Sequence, residues 1–265
     1  MNNNRLLWII PGLLFLSGLI SQNRMESDFI QKHRKDATIL FTDIAPIIDG
    51  ILDDIVWQDA ISITNFLQEE PGNLHSPTEN TEVRLLYDNK NIYVYARMYD
   101  NNPDKIFGRF ARRDDWFEGF NNSDRFIIDF DSRHDHQTAY SFGVNSIGVQ
   151  WDAMLLEDSF YDDDWNAIWH AKTTTDSLGW SLEMEIPFSV LRYISDNTEW
   201  GISIERFIQR KNESIKWPAY PRGTKGKSSI FSHLKGFEKL PIIKDIELKP
   251  YLIYGNHQFH DYMLV

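Results

Sequence analysis

The sequence contains no cysteine, which excludes disulfide bonds, thiolate metal ligands and a cysteine nucleophile. It is also poor in positive charge, because 27 Lys and Arg residues stand against 39 Asp and Glu residues and give a formal charge of −12. A protein that follows a phosphate backbone needs a basic stripe, so no nucleic acid partner is expected. The G-x-G-x-x-G, P-loop, G-x-S-x-G and H-E-x-x-H motifs are missing, so no sequence motif indicates catalysis.

The apolar run at the N-terminus is short. Arg5 precedes residues 6–20, which are too few for a typical bilayer span and have the position of a secretory hydrophobic region. We therefore predict a signal peptide over residues 1–21, with a mature chain that begins near Gln22. A weak transmembrane anchor is the alternative. Residues 22–45 are mixed and polar, and we expect a lead-in segment there.

Aromatic residues, in contrast, are abundant. Nine Trp, eleven Tyr and seventeen Phe make up 14% of the chain. They favour strands and provide flat rings for stacking against a ligand. The apolar share of 42% and the charged share of 25% are ordinary for a globular protein, so wholesale disorder is not expected. The length of 265 residues suits one large β domain or two small ones.

Apolar and polar residues alternate along much of the chain after residue 80, and this period of two is typical of half-buried strands. The alternation recurs in residues 81–88, 92–99, 125–131, 140–145, 180–186 and 200–204. Upstream, residues 46–50 are predicted to form a short strand, and residues 52–60 one or two helical turns with Trp57 facing inward. Together these features predict an all-β fold, an antiparallel β-sandwich (jelly roll) with one or two short helices.

Several segments carry a resemblance to a known family. In chain order they are PIIDGILDDIVWQDA, TEVRLLYDNKNIYVYARMYD, DRFIIDFDS, AYSFGVNSIGVQWDA, WNAIWHAK, GWSLEMEIPFSVLRY and WGISIERFIQRKNE. From about Pro46 to Glu238 the series resembles the family 9 carbohydrate-binding module-like domain. More narrowly, it is similar to the version at the N-terminus of exported bacterial proteins whose C-terminal half is an outer-membrane barrel of uncharacterised function.

The resemblance implies a jelly-roll sandwich over residues 46–240 that can carry calcium and that binds the ends of polysaccharide chains between two tryptophans. It also implies export to the periplasm or outer membrane of a Gram-negative bacterium. Residues 241–265 are expected to begin a truncated C-terminal barrel, with an edge strand of the sandwich as the alternative. The chain departs from the type members at two positions, because Trp116 lies further upstream than their tryptophan and Ile127 stands where they have glutamate.

A carbohydrate site needs aromatic rings against the face of the sugar and Arg, Asp or Asn side chains to pair its hydroxyls. Three groups of residues combine these types. The candidate ligand contacts are Arg112, Arg113, Asp114 and Trp116 in the first group, Asn145, Trp151 and Asp152 in the second, and Trp165 and Trp169 in the third. The alternatives are core packing for Trp151 and Trp169, and a surface ion pair between Arg112 and Asp114.

Two patterns bear on metal ions. Asp100, Asn102 and Asp104 lie in an acidic loop that can offer oxygens to calcium, but their spacing is not that of an EF-hand, and a solvated acidic turn is the alternative. His134 and His136 have a spacing that zinc can use. No third ligand is evident beside them in the sequence, so we expect a surface turn.

Paired carboxylates are the requirement of glycoside hydrolysis. Asp129 with Asp131, and Glu183 with Glu185, each share one face of a predicted strand. Outward acids at every second position are also typical of a solvated sheet face, which is what we expect for both pairs.

The sequence therefore predicts an exported, non-catalytic domain that binds a poly- or oligosaccharide by aromatic stacking and by hydrogen bonds from Arg, Asp and Asn. One alternative is a periplasmic interaction or plug domain that serves an outer-membrane barrel and has no sugar site. Another is an accessory domain or an enzyme in O-glycosyl hydrolysis and carbohydrate catabolism.

Overall fold

A computed structural model of the chain describes residue 30, residues 34–238 and residues 240–241. Over these ranges the chain consists of strands, loops and single helical turns. The predicted signal peptide, and the predicted barrel segment from residue 242 onward, lie outside the described residues. None of the helices within the described ranges is long and apolar enough to span a membrane.

In the described residues fourteen strands form two sheets. The strands are β1 (Asp36–Thr38), β2 (Leu40–Phe41), β3 (Leu67–Glu70), β4 (Thr81–Tyr87), β5 (Asn91–Tyr99), β6 (Arg125–Asp131), β7 (Ala139–Asn145), β8 (Gln150–Leu156), β9 (Phe160–Asp162), β10 (His170–Asp176), β11 (Gly179–Pro187), β12 (Trp200–Ile208), β13 (Glu213–Trp217) and β14 (Ser232–Lys235). The nine-stranded sheet has the order β1-β14-β12-β6-β7-β8-β9, with β13 paired to β12 and β3 paired to β13. The five-stranded sheet has the order β10-β11-β5-β4-β2.

Short helical turns interrupt the loops between the strands. The 3-10 turns are Ile55–Gln58, Pro103–Lys105, Phe188–Val190, Gln209–Lys211 and Ser228–Ile230, and a single π-helical turn spans Trp116–Phe120. The nearly all-β content confirms the fold class predicted from the period of two.

The two sheets enclose one main hydrophobic core, as expected for a β-sandwich. Phe126 and Ile128 of β6 and Leu182 and Met184 of β11 are buried in this core, because alternate positions of each strand face the opposite sheet. The sheets are mixed rather than purely antiparallel, since β1 runs parallel to β14 and β2 runs parallel to β4. Both parallel pairs come from the lead-in segment, which adds one short strand to each sheet.

Residues 46–60 cover the outer face of the five-stranded sheet. The predicted strand at residues 46–50 does not form, because the backbone N–H groups of Asp49 and Gly50 donate to the carboxylate of Glu183 rather than to a neighbouring strand. Glu183 is fully buried as a result, so the expectation of a solvated acidic face on β11 is wrong.

The helical turn predicted for residues 52–60 is confirmed. It is the 3-10 turn that ends at Gln58, and its Trp57 is buried with its ring 5.9 Å from that of Tyr95. The turn packs on the outer face of β5, in a small cluster separate from the main core. With this face covered, the outer face of the nine-stranded sheet is the one that carries a groove.

Candidate functional site

A groove of about 610 Å³ crosses the outer face of the nine-stranded sheet. Ile127 and Asp129 of β6 alternate with core residues, so they point away from the core and contribute to the floor of the groove. Strands β12 and β13 complete the floor, aromatic rings form one wall, and the loop after β13 forms the other. The lining residues on these two strands and in the loop are Ser203, Glu205, Lys216, Pro218, Tyr220, Pro221, Gly223, Thr224, Gly226, Lys227, Ile230 and Phe231.

The aromatic wall is a cluster of closely packed rings. The ring of Trp116 lies 4.9 Å from that of Trp151, and Trp151 lies 5.7 Å from Phe120 and 5.9 Å from Tyr161. Gly143 of β7 is paired opposite Trp151 of β8. A Cβ atom at Gly143 would lie only 2.5 Å from Cζ of Phe120 and 3.2 Å from Cε3 of Trp151, so the lack of a side chain there allows the rings to approach the sheet.

The two tryptophans of this wall are held in different ways. Trp116 begins the π-helical turn, which follows Asp115, and the carboxylate of Asp115 accepts a 2.9 Å hydrogen bond from the backbone N–H of Glu118. Trp151 lies on a strand and is 3% exposed. Its indole Nε1 is buried and has no hydrogen-bond partner among the described residues. A buried polar group of this kind is costly unless something pairs with it.

The floor carries charges of both signs next to one another. The Nζ atom of Lys216 lies 2.7 Å from Glu69 and 3.6 Å from Glu205, and Arg125 approaches the other oxygen of Glu205 at 3.7 Å. Burial lowers the pKa of Lys216, but the carboxylates of Glu205 and Glu69 raise it more, so the ammonium form is favoured. The floor can therefore offer both donors and acceptors to a polar ligand.

Asp129 is the most buried acid of the floor, at 5% exposure. Its carboxylate accepts a 2.5 Å hydrogen bond from the hydroxyl of Ser141, and burial raises its pKa to about 6. Nearby, Nζ of Lys227 lies 4.0 Å from the centre of the Tyr161 ring, and burial lowers the pKa of Lys227. The expectation of a solvated acidic face on β6 is therefore wrong, because Asp129 lies at the bottom of a groove.

Of the nine predicted ligand contacts, Trp116 and Trp151 line the groove. Four others contact one another at the neighbouring end of β8. The buried carboxylate of Asp152 accepts hydrogen bonds from Arg113 and from Nε1 of Trp169, and its backbone N–H donates to Asp114 at 3.1 Å. These four residues join the loop before Trp116 to the strands of the sheet.

The other three predicted contacts lie apart. Arg112 is exposed. Asn145 ends β7, and its side-chain oxygen accepts a 2.8 Å hydrogen bond from the backbone N–H of Val149, which fixes the turn to β8. Trp165 packs against the main core, with its ring 5.0 Å from that of Tyr140. The structure thus brings Trp116 together with Trp151 and not with Trp165.

The acidic loop predicted for calcium is partly engaged by protein groups. Both oxygens of Asp100 bind the guanidinium of Arg210, at 2.6 and 2.8 Å, and Oδ1 also accepts a 2.7 Å hydrogen bond from the backbone N–H of Asn102. Burial raises the pKa of Asp100, but the hydrogen bonds from Arg210 and Asn102 lower it more. Asp104 lies exposed in the following 3-10 turn.

Sequence reasoning missed most of the polar floor. Glu205 and Lys216 lie on strands β12 and β13, which meet Asp129 only through sheet pairing. Lys227 belongs to a basic, loop-like segment with no strand periodicity. One sequence signal could have pointed to the groove, namely Tyr161, an aromatic residue beside the acidic run of residues 162–164.

Comparisons with known proteins agree with this architecture. The family model described as carbohydrate family 9 binding domain-like matches residues 48–220. The fold is similar to a carbohydrate binding module family 9 from Caldicellulosiruptor kristjanssonii in complex with cellotriose, with a TM-score of 0.53, 17% identity and coverage of 82% of this chain and 100% of that chain. The complex of a module of that family and organism with glucose gives the same TM-score and identity, with 81% of this chain and 100% of that chain covered.

A third solved structure is a Bacteroides uniformis protein to which carbohydrate binding is ascribed. Its TM-score is 0.60 and its identity 10%, with coverage of 76% of this chain and 98% of that chain. At these identities the likeness concerns the fold. Among curated proteins, none matches this sequence.

Proposed function

The chain belongs to the carbohydrate family 9 binding domain-like family, and from this premise we propose that it binds an oligosaccharide in the groove on the nine-stranded sheet. The observation that carries the proposal is the juxtaposition of an aromatic wall, Trp116 and Trp151, with a floor of paired charges. Sugars present apolar C–H faces and hydroxyl edges, so a site for them needs both kinds of surface.

The aromatic wall supplies the stacking surface. A sugar ring placed against Trp116 removes apolar area of both partners from water, which is worth about 25 cal/mol per Å². Trp151 adds a second contribution, because its buried indole N–H has no partner among the described residues and a hydroxyl oxygen of a sugar would satisfy it.

The floor supplies the polar partners. Glu205 can accept hydrogen bonds from sugar hydroxyls, and Lys216 and Lys227 can donate to them. The proposal thus keeps Trp116 and Trp151 from the sequence-derived set but takes its polar contacts from β12, β13 and the loop after β13. Each hydroxyl exchanges water for a protein partner, so the net gain per hydrogen bond is small and we expect micromolar to millimolar affinity.

The experiment is titration calorimetry with a panel of soluble oligosaccharides that includes cellotriose and glucose, the ligands of the similar structures. Trp116→Ala should weaken binding by about tenfold or more, because it removes the ring. Trp151→Phe keeps an aromatic ring but removes the indole N–H together with part of the apolar surface, so it should also lower the affinity. Phe110→Ala is the matched control, since Phe110 is 85% exposed and lies outside the groove.

A wild-type protein that binds no member of a broad panel would contradict the proposal, and the interaction-domain alternative would then be favoured. Binding that persists in both tryptophan variants would move the site away from the groove. Melting curves of the variants serve as the control for folding.

We also propose that the protein is exported to the periplasm or outer membrane of a Gram-negative bacterium and acts beside an outer-membrane barrel. The support is in the sequence, where residues 1–21 have the pattern of a signal peptide and residues 246–254 alternate weakly. Mass spectrometry of the exported protein should find an N-terminus near Gln22. Intact Met1 in a membrane fraction would contradict this.

One observation favours a second function, hydrolysis of O-glycosyl bonds. Asp129, with a pKa raised to about 6, and Glu205, which is paired with Lys216, lie in the same groove on adjacent strands. A carboxyl with a raised pKa near a second carboxyl group is a feature of glycosidase sites. A reducing-end assay on a saccharide that binds tests this, with Asp129→Asn and Glu205→Gln as the variants. No product from the wild type would leave binding as the function.

A further inference from the structure

Three side chains from distant parts of the sequence meet beside the turn that joins β6 to β7. They are His134 in that turn, Glu199 just before β12 and His233 on β14, and one potential ligand atom of each lies within 4.8 Å of the others. The sequence predicted a surface turn at His134 because no third ligand was evident nearby. His134 does lie in a partly exposed turn, but sheet pairing brings Glu199 and His233 to it, which the sequence spacing does not show.

The register of the nine-stranded sheet accounts for the meeting. Gly201 of β12 is paired with His233 on one side and with Asp131 on the other. Glu199 precedes Gly201 by two positions and therefore projects to the same face as His233, as a diagonal neighbour. His134 follows Asp131 by three positions, in a turn closed by a 3.2 Å hydrogen bond from its N–H to the carbonyl of Asp131.

The turn between β6 and β7 has an uncommon backbone conformation at both of its histidines. The φ angles of His134 and His136 are 52° and 57°, in the left-handed region that residues with a side chain seldom adopt. The carboxylate of Asp131 stabilises this conformation by accepting hydrogen bonds from the backbone N–H groups of Asp135, at 3.2 Å, and His136, at 2.9 Å. Strained conformations of this kind concentrate at functional sites.

The ring of His134 is oriented by its own backbone contact. Its Nδ1 lies 2.9 Å from the backbone carbonyl of Glu199, a contact that requires the N–H on that nitrogen. The lone pair is then on Nε2. A metal-binding histidine is typically fixed in this way, by donating one ring N–H to an acceptor while the other nitrogen faces the ion.

The contact between His233 and Glu199 lacks a proper hydrogen bond. Nδ1 of His233 lies 2.5 Å from Oε1 of Glu199, yet this buried nitrogen makes no hydrogen bond within the described residues. Arg34 can only donate to Nε2 of His233, so the ring proton lies on Nδ1, and a metal ion that displaced this proton could bind both Nδ1 and the carboxylate of Glu199.

We propose that His134, Glu199 and His233 bind one divalent transition-metal ion, best matched by Zn²⁺. Two imidazole nitrogens and one carboxylate oxygen suit zinc, whereas calcium and magnesium prefer sites made of oxygens alone. Zinc binds such atoms at about 2 Å, so the side chains have to move inward by rotation about their torsions. All three side chains are partly exposed. Three protein ligands leave a fourth position for water.

The positive charge of Arg34 opposes metal binding at His233, so removing it should raise the zinc affinity. Nη1 of Arg34 lies 3.4 Å from Nε2 of His233. A metal ion on Nδ1 requires a proton on Nε2, which then faces the guanidinium. Arg34→Gln should therefore strengthen zinc binding, which a purely structural role of the cluster would not explain.

The experiment uses the full chain with its affinity tag removed, stripped with a chelator and titrated with ZnCl₂ in a calorimeter. The wild type should bind one Zn²⁺ at this site. His134→Ala and His233→Ala should each lower the zinc affinity by roughly 100-fold or more, because loss of a residue that only supports a ligand already costs about 10- to 100-fold. His170→Ala is the matched control, because His170 is an exposed histidine on the five-stranded sheet. Cobalt should give a visible absorption spectrum that both histidine variants lose.

Zinc binding that is equal in the wild type and in the His134→Ala and His233→Ala variants would overturn the proposal, as would a wild type that binds no zinc. Circular dichroism melting curves must show each variant folded. CaCl₂ in place of ZnCl₂ should give no heat that depends on His134 or His233, and a calcium signal removed by either variant would also contradict the assignment to zinc.

Discussion

The indole N–H of Trp57 donates a 2.8 Å hydrogen bond to Oε1 of Glu183, which lies 126 residues further along the chain. The other carboxylate oxygen accepts hydrogen bonds from the backbone N–H groups of Asp49 and Gly50, each at 2.9 Å. One buried acid on β11 therefore holds residues 46–60 against the outer face of the five-stranded sheet. This attachment leaves the nine-stranded sheet as the one whose outer face carries the groove.

Replacing Trp57 with Phe tests this attachment. The ring remains, but the buried carboxylate of Glu183 loses one of its three donors, so the free energy of unfolding should fall by about 1–3 kcal/mol. Urea denaturation measures the change. Trp116→Phe is the control, because Trp116 is only partly buried and lies in the groove. Equal stability of Trp57→Phe and the wild type would mean that the hydrogen bond adds nothing.

The sequence was sufficient to predict the sandwich but not what covers each sheet. Alternation in residues 81–88 and 180–186 correctly identified which side chains share a face, because a strand repeats every two residues. It could not tell that residues 46–60 bury Glu183 or that a groove buries Asp129, since both depend on contacts between distant segments. The same limit applied to Trp165, whose acidic neighbours suggested a site although its ring packs on the core.

Gly143→Ala should disturb the aromatic wall of the groove. The new methyl group would lie 2.5 Å from Cζ of Phe120, closer than any ordinary carbon contact, so Phe120 and the adjoining Trp151 would have to move. Such overpacking typically costs about 1–3 kcal/mol. We expect a lower melting temperature, a changed near-ultraviolet circular dichroism spectrum and weaker saccharide binding. Unchanged values for all three would show that the wall can shift freely.

Calcium binding at the predicted acidic loop would have to compete with the ion pair between Asp100 and Arg210, and this can be tested. Because the guanidinium of Arg210 already binds both oxygens of Asp100, we expect millimolar calcium to leave the melting curve of the zinc-free wild type unchanged. Arg210→Ala should lower the melting temperature, since it leaves Asp100 buried without its ion-pair partner. A calcium-dependent rise in the wild type that Asp104→Asn abolishes would instead support an ion at this loop.

The buried carboxyl of Asp129 should make stability depend on pH. Its folded-state pKa is about 6, raised by burial from the usual 3.8. Between these two values the folded state holds a proton that the unfolded state has lost, so stability should fall as the pH rises from about 4 through about 6. A difference of about 2 in pKa corresponds to about 3 kcal/mol, which is the upper bound of the loss.

Asp129→Asn removes this titration while keeping the size of the side chain. Other acids also titrate in this range, so the quantity to compare is the slope of unfolding free energy against pH in the variant and in the wild type. Between about pH 4 and pH 6 the unfolding free energy of the variant should fall less with rising pH, or rise more, than that of the wild type, whereas Asp104→Asn, at an exposed position, should match the wild type. If a saccharide buries the carboxylate further and raises its pKa above that of the free protein, the affinity should fall as the pH rises above about 6, in the wild type alone. Parallel slopes in the wild type and Asp129→Asn would mean that the groove leaves Asp129 with an ordinary proton affinity.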